Sequence, residues 1–258
     1  MVAQCAIIAV PFTFGLSVVL GGWPFVLLRS KLLGGWLLLL TAYAVTAVVF
    51  RLAFDYGAWK GGPAYVEAVD PHGRFDAWTV LVLIVTCMAS AFVVLHLELW
   101  PLRLSSRVMR QPLLGLVWTC LAVAIAAPAM WLGVTVVGLA PAEFLVAVPV
   151  PFLFGSIVVV STLEGSLLAR LAQPLRGAVS VALAAVVGIL LARLYVVLLP
   201  HVSGDLPFGA PGFQGEVWLA SALLGVTFPF LAFQADYFSL WPLRGAVPAQ
   251  GTAQVVRT

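Results

Sequence analysis

Three acidic residues and one histidine lie at the C-terminal ends of long apolar runs of this sequence. Such side chains are costly in a membrane, so they mark the first place to look for function. The four residues are Glu98, Glu164, Asp236 and His96. One interpretation is a ring of carboxylates at an inner vestibule that binds cations or protons. The other is that each carboxylate reaches the membrane interface and pairs with an arginine of the adjoining loop, such as Arg103, Arg107 or Arg244.

Two histidines and two aspartates lie in the loops predicted for the outer side of the membrane. They are His72, His201, Asp70 and Asp205. Imidazole and carboxylate groups suit several divalent metals, which makes these side chains a candidate metal site. Their spacing matches no recognised metal motif, and the alternative is that they are solvated loop residues.

Two arginines, Arg51 and Arg193, lie near the outer ends of predicted helices. As a pair they are candidate contacts for an anionic substrate or a lipid headgroup. The alternative is that both side chains extend to the outer interface, with Arg51 paired to Asp55 four residues later on the same helical face.

The composition places all of these residues in a membrane protein. Hydrophobic residues make up 63% of the 258 residues and charged residues 9%, and the mean hydropathy is +1.12. A soluble domain carries about a quarter charged residues. A helix needs about 20 apolar residues to cross the hydrocarbon core. Seven runs meet this length, namely Val2–Leu20, Leu32–Leu52, Ala77–Leu97, Leu113–Val134, Glu143–Leu163, Ala178–Leu199 and Val217–Leu240. The sequence therefore predicts an all-α integral membrane protein, a seven-helix bundle forming a single transmembrane domain over residues 1–258.

The distribution of lysine and arginine predicts the orientation of these spans. Nine of the thirteen basic residues fall in connections on one side, which positive charge assigns to the cytoplasm. We therefore expect the N-terminus outside and the C-terminus inside, in the plasma membrane of a bacterium. The net charge of +3 is too small and too dispersed to indicate a nucleic-acid-binding surface. Two of the outer loops have room for a small structured cap.

Recurring motifs predict an internal duplication. The motif at Pro11–Gly15 recurs at Pro151–Gly155, and Trp100-Pro101 recurs at Trp241-Pro242, with offsets near 140 residues. The predicted repeats cover about residues 1–105 and 141–246, with the fourth span, about 113–134, as a linker. A smaller helical hairpin unit recurs inside them, because Trp-Pro ends three spans and Gln-Pro followed by glycine precedes two. These repeats are parallel, and they are stronger evidence about fold than about function.

Motifs for well-known chemistries are missing from the sequence. The segment Arg74–Trp78 resembles the start of the third helix of microbial rhodopsins, but retinal requires a lysine in the seventh span. The two lysines, Lys31 and Lys60, both lie outside that span. The sequence also contains no zincin, nucleophile-elbow, Walker or haem-attachment motif.

These observations lead to three functional hypotheses. The first is a polytopic subunit, without catalytic activity of its own, that scaffolds or anchors a larger membrane assembly; its partners are the lipid bilayer and other membrane subunits. The second is a transporter or channel that moves a proton, a cation or a small substrate through a bundle of kinked helices. The third is a membrane enzyme or metal site at the outer face. The sequence indicates no particular cofactor.

Overall fold

The computed structural model describes residues 2–60, 65–163, 171–209, 213–227 and 229. Eight α-helices lie in this part of the chain. They are α1 (Val2–Phe14), α2 (Lys31–Ala53), α3 (Ala77–His96), α4 (Leu113–Met130), α5 (Pro141–Ala147), α6 (Pro149–Leu163), α7 (Leu175–Ser203) and α8 (Gln214–Ala222). Three π-helical segments continue α1, α4 and α8 over Gly15–Val19, Trp131–Val136 and Leu223–Thr227.

Five helices of the described part are long and apolar enough to cross a membrane. They are Lys31–Ala53, Ala77–His96, Leu113–Val136, Pro141–Ser161 and Leu175–Ser203. The chain is mostly helical, and these helices are compatible with the predicted all-α membrane protein. Apolar helices of this kind contact lipid when they are embedded. The first predicted span is a shorter apolar helix, Ile7–Val19, and the seventh continues beyond the described residues. The number of seven spans therefore stays a prediction.

Helix starts and breaks follow from local chemistry. Ser30 caps α2, since its hydroxyl accepts a hydrogen bond from the amide of Leu33 at 3.3 Å, and Asp76 caps α3 by accepting one from Thr79 at 2.9 Å. The predicted fifth span is broken at Val148, between α5 and α6. Pro149 follows the break, and a proline has no amide hydrogen for the carbonyl one turn earlier.

The bundle is organised around α3 and the α5–α6 pair. In the most apolar 18-residue stretch of each span, which we call its hydrophobic window, 56% is buried for α3 and 61% for α5–α6. The buried share is only 17% for α2 and 11% for α7. The core contains Leu81, Val85 and Phe92 of α3 together with Phe144 and Leu153 of the α5–α6 pair. Because α2 packs mainly on α1 and α7 mainly on α6, these two helices are peripheral.

The two ends of the bundle differ in chemistry. One end, which we call the arginine-rich end, carries the connections around Arg29, Arg103–Arg110 and Arg176. The opposite end carries the long connection between α2 and α3. There two short parallel strands, β1 (Phe54–Asp55) and β2 (Phe75–Asp76), pair with each other. This strand pair is the small structured cap that the loop lengths predicted.

Candidate functional site

Glu98 lies at the arginine-rich end, in the turn that follows α3. Its Oε2 atom is 2.8 Å from Nη1 of Arg103, and its Oε1 atom is 2.9 Å from Nη1 of Arg176. The backbone of Glu98 has a φ of +50°, which a residue with a side chain rarely adopts. The two ion pairs help to hold this turn. The pairing with Arg103 is the arrangement that the second interpretation of the carboxylates predicts.

His96 is the last residue of α3 and is 4% exposed. Its Nδ1 atom is 2.7 Å from the hydroxyl oxygen of Ser180 on α7, and its ring meets Phe152 of α6 edge to face. Within the described residues, its Nε2 atom has no hydrogen-bond partner. His96 therefore joins three helices and keeps one nitrogen free. The other two members of the predicted ring, Glu164 and Asp236, lie outside the described residues.

Two glutamines, Gln111 and Gln173, tie helix ends together in the same way. The amide nitrogen of Gln111 donates to the carbonyl of Val19 at 3.0 Å, and its oxygen accepts from the amide of Gly115 at 3.1 Å. We call this arrangement the glutamine clasp. It satisfies a carbonyl at the end of one helix and an amide at the start of another, both of which lack partners within their helices.

The second clasp joins α3 to α7. Gln173 donates to the carbonyl of His96 at 3.5 Å and accepts from the amide of Gly177 at 3.1 Å. The Glu98–Arg176 ion pair links the same two helix ends. Sequence reasoning noted the Gln-Pro-x-x-Gly motif only as a repeat. The signal for its structural role was a polar amide placed directly before an apolar helix.

Replacing Gln111 with alanine is expected to destabilise the protein by about 2 kcal/mol, because two hydrogen bonds at helix ends are lost. The same change at Gln173 is expected to cost about 1 kcal/mol, since one of its bonds is long and the Glu98–Arg176 pair remains. Chemical denaturation in detergent measures both values. Q214A is the matched control, because Gln214 is exposed at the start of α8. Equal stability of Q111A and Q214A would contradict the clasp.

Asp70 is the most connected polar group at the opposite end. Its Oδ1 atom accepts hydrogen bonds from the amides of Tyr56 at 3.3 Å and His72 at 3.0 Å, and its Oδ2 atom accepts one from the hydroxyl of Tyr65 at 3.1 Å. The Nδ1 atom of His72 lies 3.4 Å from Oδ2. Burial raises the pKa of Asp70, but these hydrogen bonds and the His72 imidazole outweigh that effect and lower the pKa below its usual value.

Part of the predicted metal site is brought together here. One possible ligand atom from each of Asp55, Asp70 and His72 lies within 4.8 Å of the others, and this is the metal-competent group within the described residues. His201 and Asp205 are not part of it. His201 is exposed, with its Nδ1 atom 3.2 Å from the carbonyl of Val197, and Asp205 is exposed after α7. Because both oxygens of Asp70 already accept hydrogen bonds, the group also serves to fold the α2–α3 connection.

The two arginines proposed as anion contacts, Arg51 and Arg193, are both exposed. Within the described part of the chain, neither takes part in an ion pair. Asp55, the expected partner of Arg51, instead accepts a hydrogen bond from the amide of Gly57 at 2.9 Å. The exposure of both arginines fits extension to an interface.

A buried glutamate at the same end was missed by sequence reasoning. Glu216, in the first turn of α8, is 3% exposed. Its Oε1 atom accepts a hydrogen bond from the amide of Gly209 at 2.7 Å, whereas its Oε2 atom has no partner in the part of the chain that the structure describes. Glu143, in the first turn of α5, lies close to the same glycine. These contacts hold the segment before α8 against the start of α5.

No protein family, curated protein or solved structure matches this chain in comparisons with known proteins. The fold and the side-chain contacts therefore carry the functional argument. In the described residues, the polar groups mostly connect helices to one another and fold the connections between them.

Proposed function

We propose that this chain is a polytopic membrane subunit that scaffolds or anchors a larger membrane assembly and has no catalytic activity of its own. One observation carries the proposal: α2 and α7 are peripheral, with 17% and 11% of their hydrophobic windows buried. Their outer faces consist of large apolar side chains, including Leu40 at 61% and Leu190 at 63% exposure. Such faces are suited to contact with lipid and with the apolar helices of other subunits.

The use of polar side chains within the spans supports a structural role over transport. The hydroxyls of Thr46 and Thr86 donate to the carbonyls one turn earlier in their own helices, at 2.8 and 2.6 Å. Glu98, the described carboxylate of the predicted ring, is engaged by two arginines. A transport pathway needs polar groups that line a route and exchange partners. Most of the described polar groups instead satisfy the backbone or one another. The buried side-chain atoms without a partner in the described part of the chain are Nε2 of His96, Oγ of Ser156 and Oε2 of Glu216.

The predicted duplication belongs to this proposal and has structural support. Ala42 and Thr46 are the buried positions of α2 near its middle, and Ala184 and Gly188 are those of α7. Ala184 follows Ala42 by 142 residues, and Gly188 follows Thr46 by the same number. The same offset separates Arg51 from Arg193. The turns before the two described Trp-Pro motifs, which both lie in the first predicted repeat, agree with the smaller hairpin unit. The amide of Trp23 donates to Leu20, and that of Trp100 donates to Leu97, both at 3.0 Å.

The orientation also belongs to the proposal. We place the arginine-rich end in the cytoplasm of a bacterial cell, because positive connections are retained on that side. In a variant from which Cys5, Cys87 and Cys120 have been removed, a cysteine introduced at Arg107 is expected to react with a membrane-impermeant reagent only after the membrane is opened.

Native mass spectrometry of the protein in lipid nanodiscs tests the subunit proposal. We expect this chain together with other polypeptides in a fixed ratio. A photo-crosslinking residue at Leu190 on α7 is expected to link the chain to one of those polypeptides. The same residue at Leu199, which is 3% exposed, is the matched control and should link only within the chain. The mass of a single chain with lipid alone, and only lipid adducts at Leu190, would refute the proposal.

A further inference from the structure

An apolar crevice of about 390 Å³ lies among α1, α2, α3 and α4. Its lining includes Pro11 and Gly15 from α1 and its π-helical extension, Val45 from α2, Met88 from α3, and Ala122 from α4. The volume falls within the range of ligand pockets, about 300–1,000 Å³. All of these residues lie in predicted membrane spans, so the crevice is at the level of the hydrocarbon core.

The crevice is formed where α1 departs from regular α-helical geometry. Pro11 lies within α1, and the helix widens to a π-helix over Gly15–Val19 on the next turn. A side chain at Gly15 would meet no atom within 4 Å of its first carbon. The missing side chain therefore leaves open space beside the crevice. Segments of π-helix are frequent at functional sites.

The polar groups that line the crevice are already bonded to the protein. The indole nitrogen of Trp118 donates to the carbonyl of Ala91 at 3.2 Å, and the hydroxyl of Thr119 donates to the carbonyl of Gly115 at 2.8 Å. A polar ligand would lose its hydrogen bonds to water and would find few free hydrogen-bonding groups in the crevice. Its burial there would therefore be unfavourable. The lining is therefore suited to a hydrocarbon chain.

Unpaired positive charge is found near the arginine-rich end of the crevice. Val19 and Leu20 line this end, and Gln111 is bound to the carbonyl of Val19. The connection that ends in Gln111 also carries Arg107 and Arg110, which are exposed. The ion pairs of the described residues engage Arg103 and Arg176 but neither of these two arginines.

We propose that this crevice binds one acyl chain of an anionic phospholipid and that Arg107 and Arg110 bind its phosphate. The chain occupies the space beside Gly15, and the headgroup lies at the interface next to Gln111. Basic groups at the end of a cleft between transmembrane helices are the usual recognition elements for anionic lipid headgroups. This site is independent of the proposed scaffolding function, because the crevice lies between helices of one chain.

Native mass spectrometry with phosphatidylglycerol and phosphatidylcholine of identical acyl chains tests the proposal. The wild-type protein should retain one phosphatidylglycerol after mild delipidation and bind it more tightly than phosphatidylcholine. In R107Q/R110Q the dissociation constant for phosphatidylglycerol should rise by about fivefold for each arginine, or about 25-fold in total. Binding of phosphatidylcholine should change little. R74Q, which removes an exposed arginine at the opposite end, is the control.

A second variant tests the acyl-chain part of the site. G15L fills the open space and should abolish retention of both lipids. G35L is its control, because Gly35 is exposed on α2 and a side chain there also meets no atom within 4 Å. Equal affinity of the wild-type protein for the two lipids would overturn the headgroup assignment. Retention by G15L at the level of G35L would overturn the crevice assignment. Since R107Q/R110Q changes only exposed residues, it remains informative if G15L does not fold.

Discussion

Replacing Gly188 with alanine is expected to separate α6 from α7 and to destabilise the protein by about 3 kcal/mol. The added carbon would collide with the carbonyl oxygen of Pro151 on α6. Gly155 approaches α7 equally closely, since a side chain there would collide with the carbonyl oxygen of Ala184. Both obstacles are backbone atoms, which cannot rotate away as a side chain can. The loss of stability is therefore expected at the upper end of the usual range for overpacking, which is about 1–3 kcal/mol.

Chemical denaturation in detergent measures this effect, and each 1.4 kcal/mol corresponds to a tenfold change in the unfolding equilibrium. G35A on α2 is the matched control. It makes the same substitution in an exposed part of a helix where nothing lies within 4 Å. Alanine is a better helix former than glycine by about 1 kcal/mol, so G35A should be neutral or slightly stabilising. If G188A were as stable as G35A, the close packing of α6 and α7 would be wrong.

Helix positions were predictable because the membrane imposes a simple requirement. The predicted span Leu32–Leu52 is α2, Lys31–Ala53, and the predicted span Ala77–Leu97 is α3, Ala77–His96. A run of about 20 apolar residues has few alternatives to a helix in hydrocarbon. The break at Val148 is a local exception. Pro149 and Pro151 predict freed carbonyls and a kink in this span, but they do not predict at which residue the helix ends.

The candidate sites were less predictable because they depend on contacts between distant parts of the chain. Loop composition alone paired His72 and Asp70 with His201 and Asp205. The fold instead places Asp55 beside His72 and Asp70, because β1 and β2 bring the two ends of the α2–α3 connection together. Likewise, Glu98 pairs not only with nearby Arg103 but also with Arg176 at the start of α7. Neither the approach of Asp55 to His72 and Asp70 nor the pairing of Glu98 with Arg176 follows from local spacing.

Replacing Asp70 with alanine is expected to open the connection between α2 and α3 at a cost of about 3 kcal/mol. The change leaves the amides of Tyr56 and His72 without their acceptor, and hydrogen bonds to a charged group are worth about 1.5–3 kcal/mol. Hydrogen exchange of residues 54–60 and 65–76 should therefore be about a hundredfold faster. D205A is the control, because Asp205 is an exposed carboxylate at the same end of the bundle.

The same contacts predict the direction of a pH effect in the wild-type protein. The pKa of Asp70 in the folded protein lies below its ordinary value of 3.8. The stabilisation from the ionised carboxylate is therefore fully present above about pH 4, and it is lost as the pH falls through the folded-state value. Relative to the intrinsic exchange rate at each pH, the protection of amides in the α2–α3 connection should fall over this acidic range in the wild type and in D205A, whereas D70A should not show this loss of protection. The same acid response in D70A as in the wild type would show that another group controls the connection.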